Sequence, residues 1–131
     1  MNALFRCFTG QENGWGAKLN LVIQLQSPQV GIPEQYKREI GRPFACNLRP
    51  NLADEEIVGL MREAGCDEVR FGIESGNDEI RNSLLNRQLS REEIVRAIAL
   101  CHQAGMKVFA FNIVGFPGET VAQMLDTVKL N

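Results

Sequence analysis

Residues 63–82 read EAGCDEVRFGIESGNDEIRN, and this stretch decides the fold class of the chain. The Ala-Gly pair at 64–65 is typical of a helix end, because glycine readily takes the left-handed conformation that stops a helix. The segment DEVRFGI that follows is rich in β-branched and aromatic residues and predicts a strand. Glu74 and Ser75 then stand between two glycines, just before a second helical pattern. The stretch therefore predicts a helix–strand–helix unit with polar side chains where the strand ends.

The same unit recurs 40 residues later along the chain. Ala64, Gly65, Phe71 and Ile73 are matched by Ala104, Gly105, Phe111 and Ile113. An earlier strand, FACNLRP, is followed by a helix that opens at the acidic run after Ala53. Strands that alternate with helix-length crossovers predict right-handed βα units and a parallel sheet. We therefore expect an α/β fold, a partial (β/α) barrel of about three parallel units over residues 31–131, with a doubly wound sheet as the alternative.

Further local signals complete this prediction. Asn77 starts a helical pattern that runs to Asn86, and Ser90-Arg-Glu-Glu is a capping box that opens the next helix. The run KVFAFNIVG is almost continuously apolar, which is typical of a parallel strand covered on both faces. The segment GFPGET predicts a turn into a final helix at 121–130. Residues 1–30 are a leader of unassigned structure, although LNLVIQLQ within it is apolar.

Composition narrows the class of protein. The 131 residues are 44% hydrophobic and 23% charged, with a net charge of −2. This balance is typical of a folded globular protein and gives no basic field for nucleic acid or an anionic membrane. No apolar run approaches the roughly 18 residues that a membrane-spanning helix needs. With no signal-peptide pattern at the start, we expect a cytoplasmic location and no membrane partner.

Four cysteines, Cys7, Cys46, Cys66 and Cys101, are scattered without a C-x-x-C or another short metal-type spacing. We expect them to be reduced and to serve as small buried hydrophobic residues. The single histidine, His102, cannot complete a zinc site with its neighbour alone, because zinc needs three or four converging ligands. The residues of this chain predict no metal site.

Polar and glycine residues cluster where each predicted strand ends, and parallel strands bring these clusters to one rim. Arg49 ends the first strand and offers a planar fork for a carboxylate or phosphate. Glu74 ends the second strand and can accept hydrogen bonds from two vicinal hydroxyls, while Ser75 adds a hydroxyl. Gly76 can take positive φ before the helix. Gly115 ends the third strand and would let its N–H and C=O approach a flat ring.

Simpler interpretations of the same residues stand beside these. Glu74 could be a surface carboxylate that pairs with Arg70 or Arg81. The segment Gly-Phe-Pro-Gly that begins at Gly115 could be an ordinary type II turn, since Pro and Gly are well placed for one. Arg49 could be solvated. Three clusters at three successive strand ends nevertheless favour a ligand-binding rim.

From about Pro33 to Asn131, the chain resembles the middle of a radical S-adenosylmethionine (radical SAM) enzyme, and most resembles the branch that often carries a cobalamin-binding domain. The likeness rests on RPFACNLRPN, on EAGCDEVRFGIESGNDEIRN and on the spacing to AGMKVFAFNIVGFPGET. It implies that the three strands correspond to the third, fourth and fifth of the barrel. It also implies the family's chemistry, in which a [4Fe–4S] cluster cleaves SAM reductively to a 5′-deoxyadenosyl radical.

The resemblance also implies roles for particular residues. The family's ribose contact falls on Glu74 and Ser75, and its adenine support falls on Ile113 and Gly115. Arg49 would contact SAM or the substrate. The cluster-binding C-x-x-x-C-x-x-C motif is missing from this sequence.

We therefore expect that the chain does not bind the cluster itself, and that it is a fragment of a longer enzyme that supplies the remaining barrel strands. Cobalamin is a candidate second cofactor, and the substrate and the catalytic residues are not specified. A cluster-free nucleotide-binding half-barrel and a non-catalytic remnant are the alternative functions.

Overall fold

The computed structural model describes residues 6–8, 19–22 and 32–131. In chain order the described elements are β1 (Arg6–Phe8), β2 (Leu19–Val22), α1 (Ile32–Glu39), β3 (Phe44–Leu48), a 3₁₀ turn (Pro50–Leu52), α2 (Glu55–Ala64), β4 (Cys66–Glu74), a π-helical turn (Glu79–Leu84), α3 (Arg91–Gln103), β5 (Lys107–Asn112) and α4 (Val121–Leu130). Within this part of the chain, no helix is long and apolar enough to cross a membrane.

The described strands form one sheet in the order β1-β2-β3-β4-β5. The strands β2, β3, β4 and β5 pair in parallel, and β1 pairs antiparallel with β2. The three predicted parallel strands, β3, β4 and β5, are confirmed with their intervening helices. Their consecutive order fits a partial barrel, because a doubly wound sheet reverses its strand order at a switch point. Two further strands lie in the segment that the sequence left unassigned.

Capping residues fix the helix boundaries that the sequence predicted. The Asp54 carboxylate accepts a 2.7 Å hydrogen bond from the backbone N–H of Ile57, and Gly65 ends α2 in the left-handed conformation at φ 102°. At the start of α3, the Ser90 hydroxyl accepts from Glu93 N–H at 3.1 Å, while the Glu93 carboxylate accepts from Ser90 N–H at 2.7 Å. Each bond satisfies a backbone donor that the first helical turn leaves unpaired.

The core lies between the sheet and its helices. Phe44, Val69, Phe71 and Ile73 point from β3 and β4 into a cluster with apolar side chains of α2 and α3. Tyr36 of α1 packs against Phe44 with ring centroids 4.8 Å apart. The alternate residues of the strands therefore point to the opposite side. We call this side the open face and define it by Asn47, Arg70, Gly72, Phe109 and Phe111.

Burial on β5 differs from the prediction. Its almost continuous apolar run predicted cover on both faces, but its residues alternate between exposed and half-buried. Phe109 is 58% exposed and Phe111 is 50% exposed. In register, Phe109 lies beside Arg70 and Phe111 beside Gly72. The apolar residues of β5 therefore lie on two faces. One face packs on α3, and the other face is apolar although no described element covers it.

The helix predicted to begin at Asn77 and run to Asn86 is also corrected. The structure has a short π-helical turn there, in which Leu85 N–H donates to the Ile80 carbonyl, five residues back. Asn86 and Gln88 then take positive φ, at 49° and 50°. A regular α-helix cannot continue through left-handed residues, so the turn ends early and an irregular loop leads to Ser90.

Candidate functional site

The open face carries a cavity of about 300 Å³ near the ends of β3 and β4. Its lining consists of Asn47, Leu48, Arg49, Arg70, Gly72, Arg87 and Phe111. Three guanidinium groups and an amide line it beside one aromatic ring, and no carboxylate is among the lining residues. This chemistry suits an organic ligand that combines an anionic group with a flat or apolar part.

Glu74 and Arg87 form the charged pair beside this cavity. An oxygen of the Glu74 carboxylate lies 3.6 Å from Nη2 of Arg87, and the two side chains are 22% and 30% exposed. The same Nη2 donates a 2.7 Å hydrogen bond to the carbonyl of Gly72. Arg87 is thus attached both to the backbone of β4 and to the carboxylate at its end. A half-buried ion pair of this kind contributes modest stability, and its main consequence is to fix the orientation of both groups.

Gly72 makes room for this pair. A Cβ placed on Gly72 would lie 2.7 Å from the Glu74 carboxylate oxygen and 3.2 Å from Nη2 of Arg87. Both charged groups therefore fold back over the backbone of β4, on the open face where Gly72 has no side chain. Glu74 itself has a positive φ of 73°, an uncommon backbone conformation for a residue with a side chain. Such strain is concentrated at ligand-binding sites in proteins.

Arg49 joins the site from the position directly after β3. Its Nη2 donates a 2.9 Å hydrogen bond to the backbone carbonyl of Arg87. The partners proposed for Glu74 from sequence are engaged elsewhere, since Arg70 pairs with Glu68 at 2.9 Å and Arg81 pairs with Asp78.

Arg87 was not recognised in the sequence because it lies in an irregular loop, 13 positions after Glu74. The sequence signal nearest to it is the capping box at Ser90, which locates the end of this loop. It does not indicate which way the loop side chains turn.

The charges around the cavity are unequal. Arg70 is balanced by Glu68 and Arg87 by Glu74, so Arg49 leaves an excess of positive charge at the rim. The Nε of Arg87 is buried and has no hydrogen-bond partner within the described residues. A buried donor without a partner is costly, and a ligand acceptor would satisfy it. The site can therefore bind an additional hydrogen-bond acceptor at Arg87 Nε or an anion near Arg49.

Ser75 does not join this site. Its side chain is fully buried, and its hydroxyl lies 3.4 Å from the Thr127 hydroxyl of α4. The Ser75 hydroxyl also accepts a 3.1 Å hydrogen bond from Asn77 N–H. These contacts turn it toward α4, while Glu74 next to it lies on the open face.

The neighbouring glycine is explained by the same packing. Gly76 does not take the positive φ that its sequence context suggested. A Cβ there would lie 2.5 Å from the Cα of Thr127, so glycine is required by the close approach of α4.

Ile113 and Gly115 follow β5 along the same rim. Ile113 N–H donates a 2.8 Å hydrogen bond to the Glu74 carbonyl, and its side chain is 49% exposed. Gly115 has φ 89°, and its N–H is already bonded to the Glu119 carboxylate at 2.6 Å. The Gly115 N–H is thus engaged within the protein, and its pairing with a ligand ring stays a prediction. A type II turn follows it, with Gly118 at φ 84° and Glu119 N–H bonded to the Phe116 carbonyl.

The described cysteines do not form a cluster site. Cys46, Cys66 and Cys101 are free and buried in the helix-covered core, as the sequence predicted. The sulfur atoms of Cys46 and Cys66 lie 3.8 Å apart. The hydrogen bond with Cys66 and burial raise the pKa of the Cys46 thiol, and burial raises the pKa of Cys101 to about 11.

Iron–sulfur clusters are held by cysteine thiolates, whereas Cys46, Cys66 and Cys101 are buried among the apolar side chains on the helix-covered side of the sheet. In the part of the chain that the structure describes, no group of three or more His, Cys, Asp or Glu side chains could hold a metal ion.

Comparison with known proteins identifies relatives of this chain. The model of the radical SAM superfamily matches residues 23–130. The chain is 34% identical over 95 residues to cytidylyl-2-hydroxyethylphosphonate methyltransferase of Streptomyces wedmorensis, which covers 66% of the chain and 18% of that protein. It is 31% identical over 99 residues to anaerobic magnesium-protoporphyrin IX monomethyl ester cyclase of Rubrivivax gelatinosus, covering 74% and 18%.

A third relative aligns with almost the whole chain. It is tRNA-2-methylthio-N(6)-dimethylallyladenosine synthase of Oceanobacillus iheyensis, 26% identical over 135 residues, which covers 99% of the chain and 23% of that protein. The chain thus spans less than a quarter of the length of each of these three relatives.

Proposed function

We propose, from the premise that the chain belongs to the radical SAM superfamily, that its open face binds S-adenosylmethionine beside the Glu74–Arg87 pair. In radical SAM enzymes, SAM is cleaved reductively at a [4Fe–4S] cluster to give a 5′-deoxyadenosyl radical. We assign to this chain the SAM-holding part of such a catalyst. The described cysteines do not fit the cluster, so no cluster chemistry is assigned to them.

The observation that carries this proposal is the Glu74 carboxylate, fixed by Arg87 on the open face. A carboxylate accepts two hydrogen bonds, which matches the two vicinal hydroxyls of a ribose. The oxygen that faces Arg87 is oriented by the ion pair, so the carboxylate is held in place before the ligand arrives. Preorganisation of this kind raises affinity by reducing the ordering cost of binding.

The other groups of the site suit the remaining parts of SAM. Arg49 and Arg87 are the guanidinium groups that can attract the ligand's carboxylate, and the unpartnered Nε of Arg87 is a donor for it. Phe111 is an exposed apolar side chain on the open face, and Ile113, just after β5, is exposed as well, which suits an adenine ring. Gly115 shapes the rim through its positive φ. Ser75 is not assigned a contact with SAM, because its hydroxyl lies against Thr127 of α4.

The exposed face of β5 supports a further element of the proposal. Phe109, Phe111, Ile113 and Val114 are all about half exposed, and β5 pairs only with β4 among the described strands. We propose that additional barrel strands continue the sheet at this edge and enclose the SAM site. The relatives differ in reaction, with methyl transfer, ring closure and methylthiolation among their names. We therefore assign SAM and leave the second substrate and a cobalamin cofactor unassigned.

Removal of the Glu74 carboxylate tests the proposal. Calorimetric titration of SAM into the chain should give saturable binding, and Glu74→Ala should weaken it by roughly 1.5–3 kcal/mol, the cost of a charged hydrogen-bonding group. This corresponds to about tenfold or more in Kd. Glu56→Ala is the matched control, because Glu56 is an exposed carboxylate on α2. Unchanged SAM affinity in Glu74→Ala, or no saturable binding by the unmodified chain, would contradict the proposal.

A nucleotide-binding half-barrel without catalysis is the second candidate, favoured by the burial of Cys46, Cys66 and Cys101 on the helix side of the sheet. Both candidates hold that this chain does not bind the cluster itself, and reconstitution of the chain with iron and sulfide tests that shared expectation. If the chain itself carries the chemistry, reconstitution gives the visible absorbance of a cluster and cleavage of SAM under reducing conditions. We expect neither from the chain alone.

A further inference from the structure

We propose that Arg81 is a positioning residue, which fixes Arg87 against Glu74 from outside the cavity. The inference rests on the proposed SAM site for its consequence in binding. Its structural basis is independent of any ligand. Arg81 lies in the π-helical turn, and the sequence suggested only that it could pair with Glu74 at the surface.

Arg81 is a fully buried arginine whose three side-chain nitrogens are all engaged. Its side chain is 0% exposed. Nε donates a 2.7 Å hydrogen bond to the Leu89 carbonyl, and Nη1 donates a 2.9 Å hydrogen bond to the Ser75 carbonyl. Nη2 bonds to the Asp78 carboxylate. Buried charges are rare unless they are paired and hydrogen-bonded. This set of contacts therefore indicates that Arg81 has a specific structural role.

The two carbonyl groups flank the ion pair of the site. Ser75 directly follows Glu74, and Leu89 lies two positions after Arg87. One guanidinium therefore ties the end of β4 to the loop that carries Arg87. A second link runs through the backbone of the same residue, because the Arg81 carbonyl accepts a 3.0 Å hydrogen bond from Arg87 N–H.

The loop that contains Arg87 depends on such side-chain hydrogen bonds because it is not part of a helix or a strand. Arg87 stands between Asn86 and Gln88, both at positive φ. Backbone in this conformation persists only where its surroundings determine it. Asn82 assists through two side-chain bonds to Leu89, one to its carbonyl at 3.0 Å and one from its N–H at 2.9 Å. The backbone of Arg87 itself makes two bonds, one from its N–H to the Arg81 carbonyl and one from Arg49 Nη2 to its own carbonyl.

The carbonyl contacts are the main part of this arrangement. Asp78, the charged partner of Arg81, has a side chain that is 74% exposed. Solvent screens an ion pair at such a position, whereas bonds from a buried guanidinium to buried carbonyls are not screened in this way. Lysine has a single nitrogen and cannot reproduce the planar fork that reaches both Ser75 and Leu89. Arg81→Lys therefore keeps the charge and removes the bridge.

A double-mutant cycle tests the link to Arg87. SAM affinity is measured for the unmodified chain, Arg81→Lys, Arg87→Ala and the double variant. If Arg81 acts through Arg87, Arg81→Lys weakens binding about tenfold alone but less than about twofold when Arg87 is already alanine. Arg91→Lys, an exposed arginine at the start of α3, is the matched control. Equal losses in both backgrounds would show a general structural effect and overturn the proposal.

A ligand-free measurement separates this proposal from the assignment of SAM. Amide hydrogen exchange at Arg87 should be about tenfold faster in Arg81→Lys, while exchange within β4 and α3 stays unchanged. This result in a chain that binds no SAM would support the positioning role and contradict the proposed function. Unchanged exchange at Arg87, or equal acceleration throughout the chain, would overturn the positioning role whatever SAM does.

If Arg81→Lys does not fold, native-state exchange in the unmodified chain replaces it. The Arg81 Nε–H and the Arg87 amide should then open together, with the same dependence on denaturant. Separate opening of the two groups would overturn the proposal.

Discussion

Gly76 and Thr127 are in direct contact, although 51 positions separate them in the sequence. The Gly76 N–H donates a 2.9 Å hydrogen bond to the Thr127 hydroxyl, and a Cβ on Gly76 would lie only 2.5 Å from the Cα of Thr127. A side chain therefore cannot be added at Gly76 without moving α4. In the motif GIESG, the last glycine, Gly76, is therefore explained by the packing of α4. The first glycine, Gly72, leaves space for the Glu74–Arg87 ion pair.

Substitution of Gly76 should destabilise the fold. Gly76→Ala inserts a methyl group against the backbone of α4. A helix backbone is rigid and cannot easily move away from this group. We expect a loss of about 1–3 kcal/mol in the free energy of unfolding, the usual cost of overpacking. Urea denaturation followed by circular dichroism measures it.

Gly59→Ala is the control for this change. A Cβ at Gly59 of α2 meets nothing within 4 Å. Alanine there should stabilise the helix by about 0.5–1 kcal/mol, because glycine is the poorer helix former. A Gly76→Ala chain as stable as the unmodified one would show that α4 is not held at this distance.

Substitution of Gly72 should damage the site and leave the fold largely intact. The added Cβ would stand 2.7 Å from the Glu74 carboxylate and 3.2 Å from the Arg87 guanidinium, and both are ends of flexible side chains. They can move aside, so we expect a stability change below about 1 kcal/mol, as for most substitutions outside a packed core. SAM binding should weaken about tenfold, because the preorganised pair is displaced. Calorimetry and urea denaturation on the same sample separate the two effects. A large loss of stability with unchanged affinity would contradict this role of Gly72.

The buried thiols predict how stability depends on pH. Burial raises the pKa of Cys101 from its ordinary 9.0 to about 11. The unfolded chain therefore loses this proton at lower pH than the folded chain does. The contribution of Cys101 to stability is complete below about pH 9 and is lost as the pH rises toward 11. Cys46, whose pKa is raised by its hydrogen bond with Cys66, acts in the same direction, and Cys66, whose pKa is lowered by that bond, acts in the opposite one.

Urea denaturation between pH 7 and pH 10.5 measures this dependence. We expect the free energy of unfolding to fall above pH 9 in the unmodified chain and to fall less in Cys101→Ala. The comparison removes the contribution of lysines and tyrosine, which both chains share. The same slope in both would show that the Cys101 thiol is accessible to water.

Much of the fold was predictable because its signals are local. The Asp54 and Ser90 caps and the glycines at 65 and 105 mark where helices begin and end, and each acts within one helical turn. The 40-residue repeat indicated the parallel βα units. The rim at the strand ends follows from parallel pairing alone, so Arg49 and Glu74 could be placed together before the structure was known.

The remaining features depend on distant contacts. Ser75 was expected on the rim, but α4 buries it through Thr127, and nothing near Ser75 in sequence shows that helix. Arg87 lies in a loop whose path is fixed by the buried guanidinium of Arg81. The exposed face of β5 was not predictable, because an apolar run has the same pattern whether or not another element covers it.

The measurement that tests the central claim most directly is chemical-shift mapping of the chain with S-adenosylhomocysteine, a stable analogue that retains the ribose, adenine and carboxylate. If the open face binds this ligand, resonances of Arg49, Gly72, Glu74, Phe111 and the Arg87 Nε–H should shift with one common saturation curve. Those of Cys46, Cys66 and Cys101 on the helix side should stay in place. Shifts confined to the helix side, or no saturable shift at Glu74 and Arg87, would contradict the assignment.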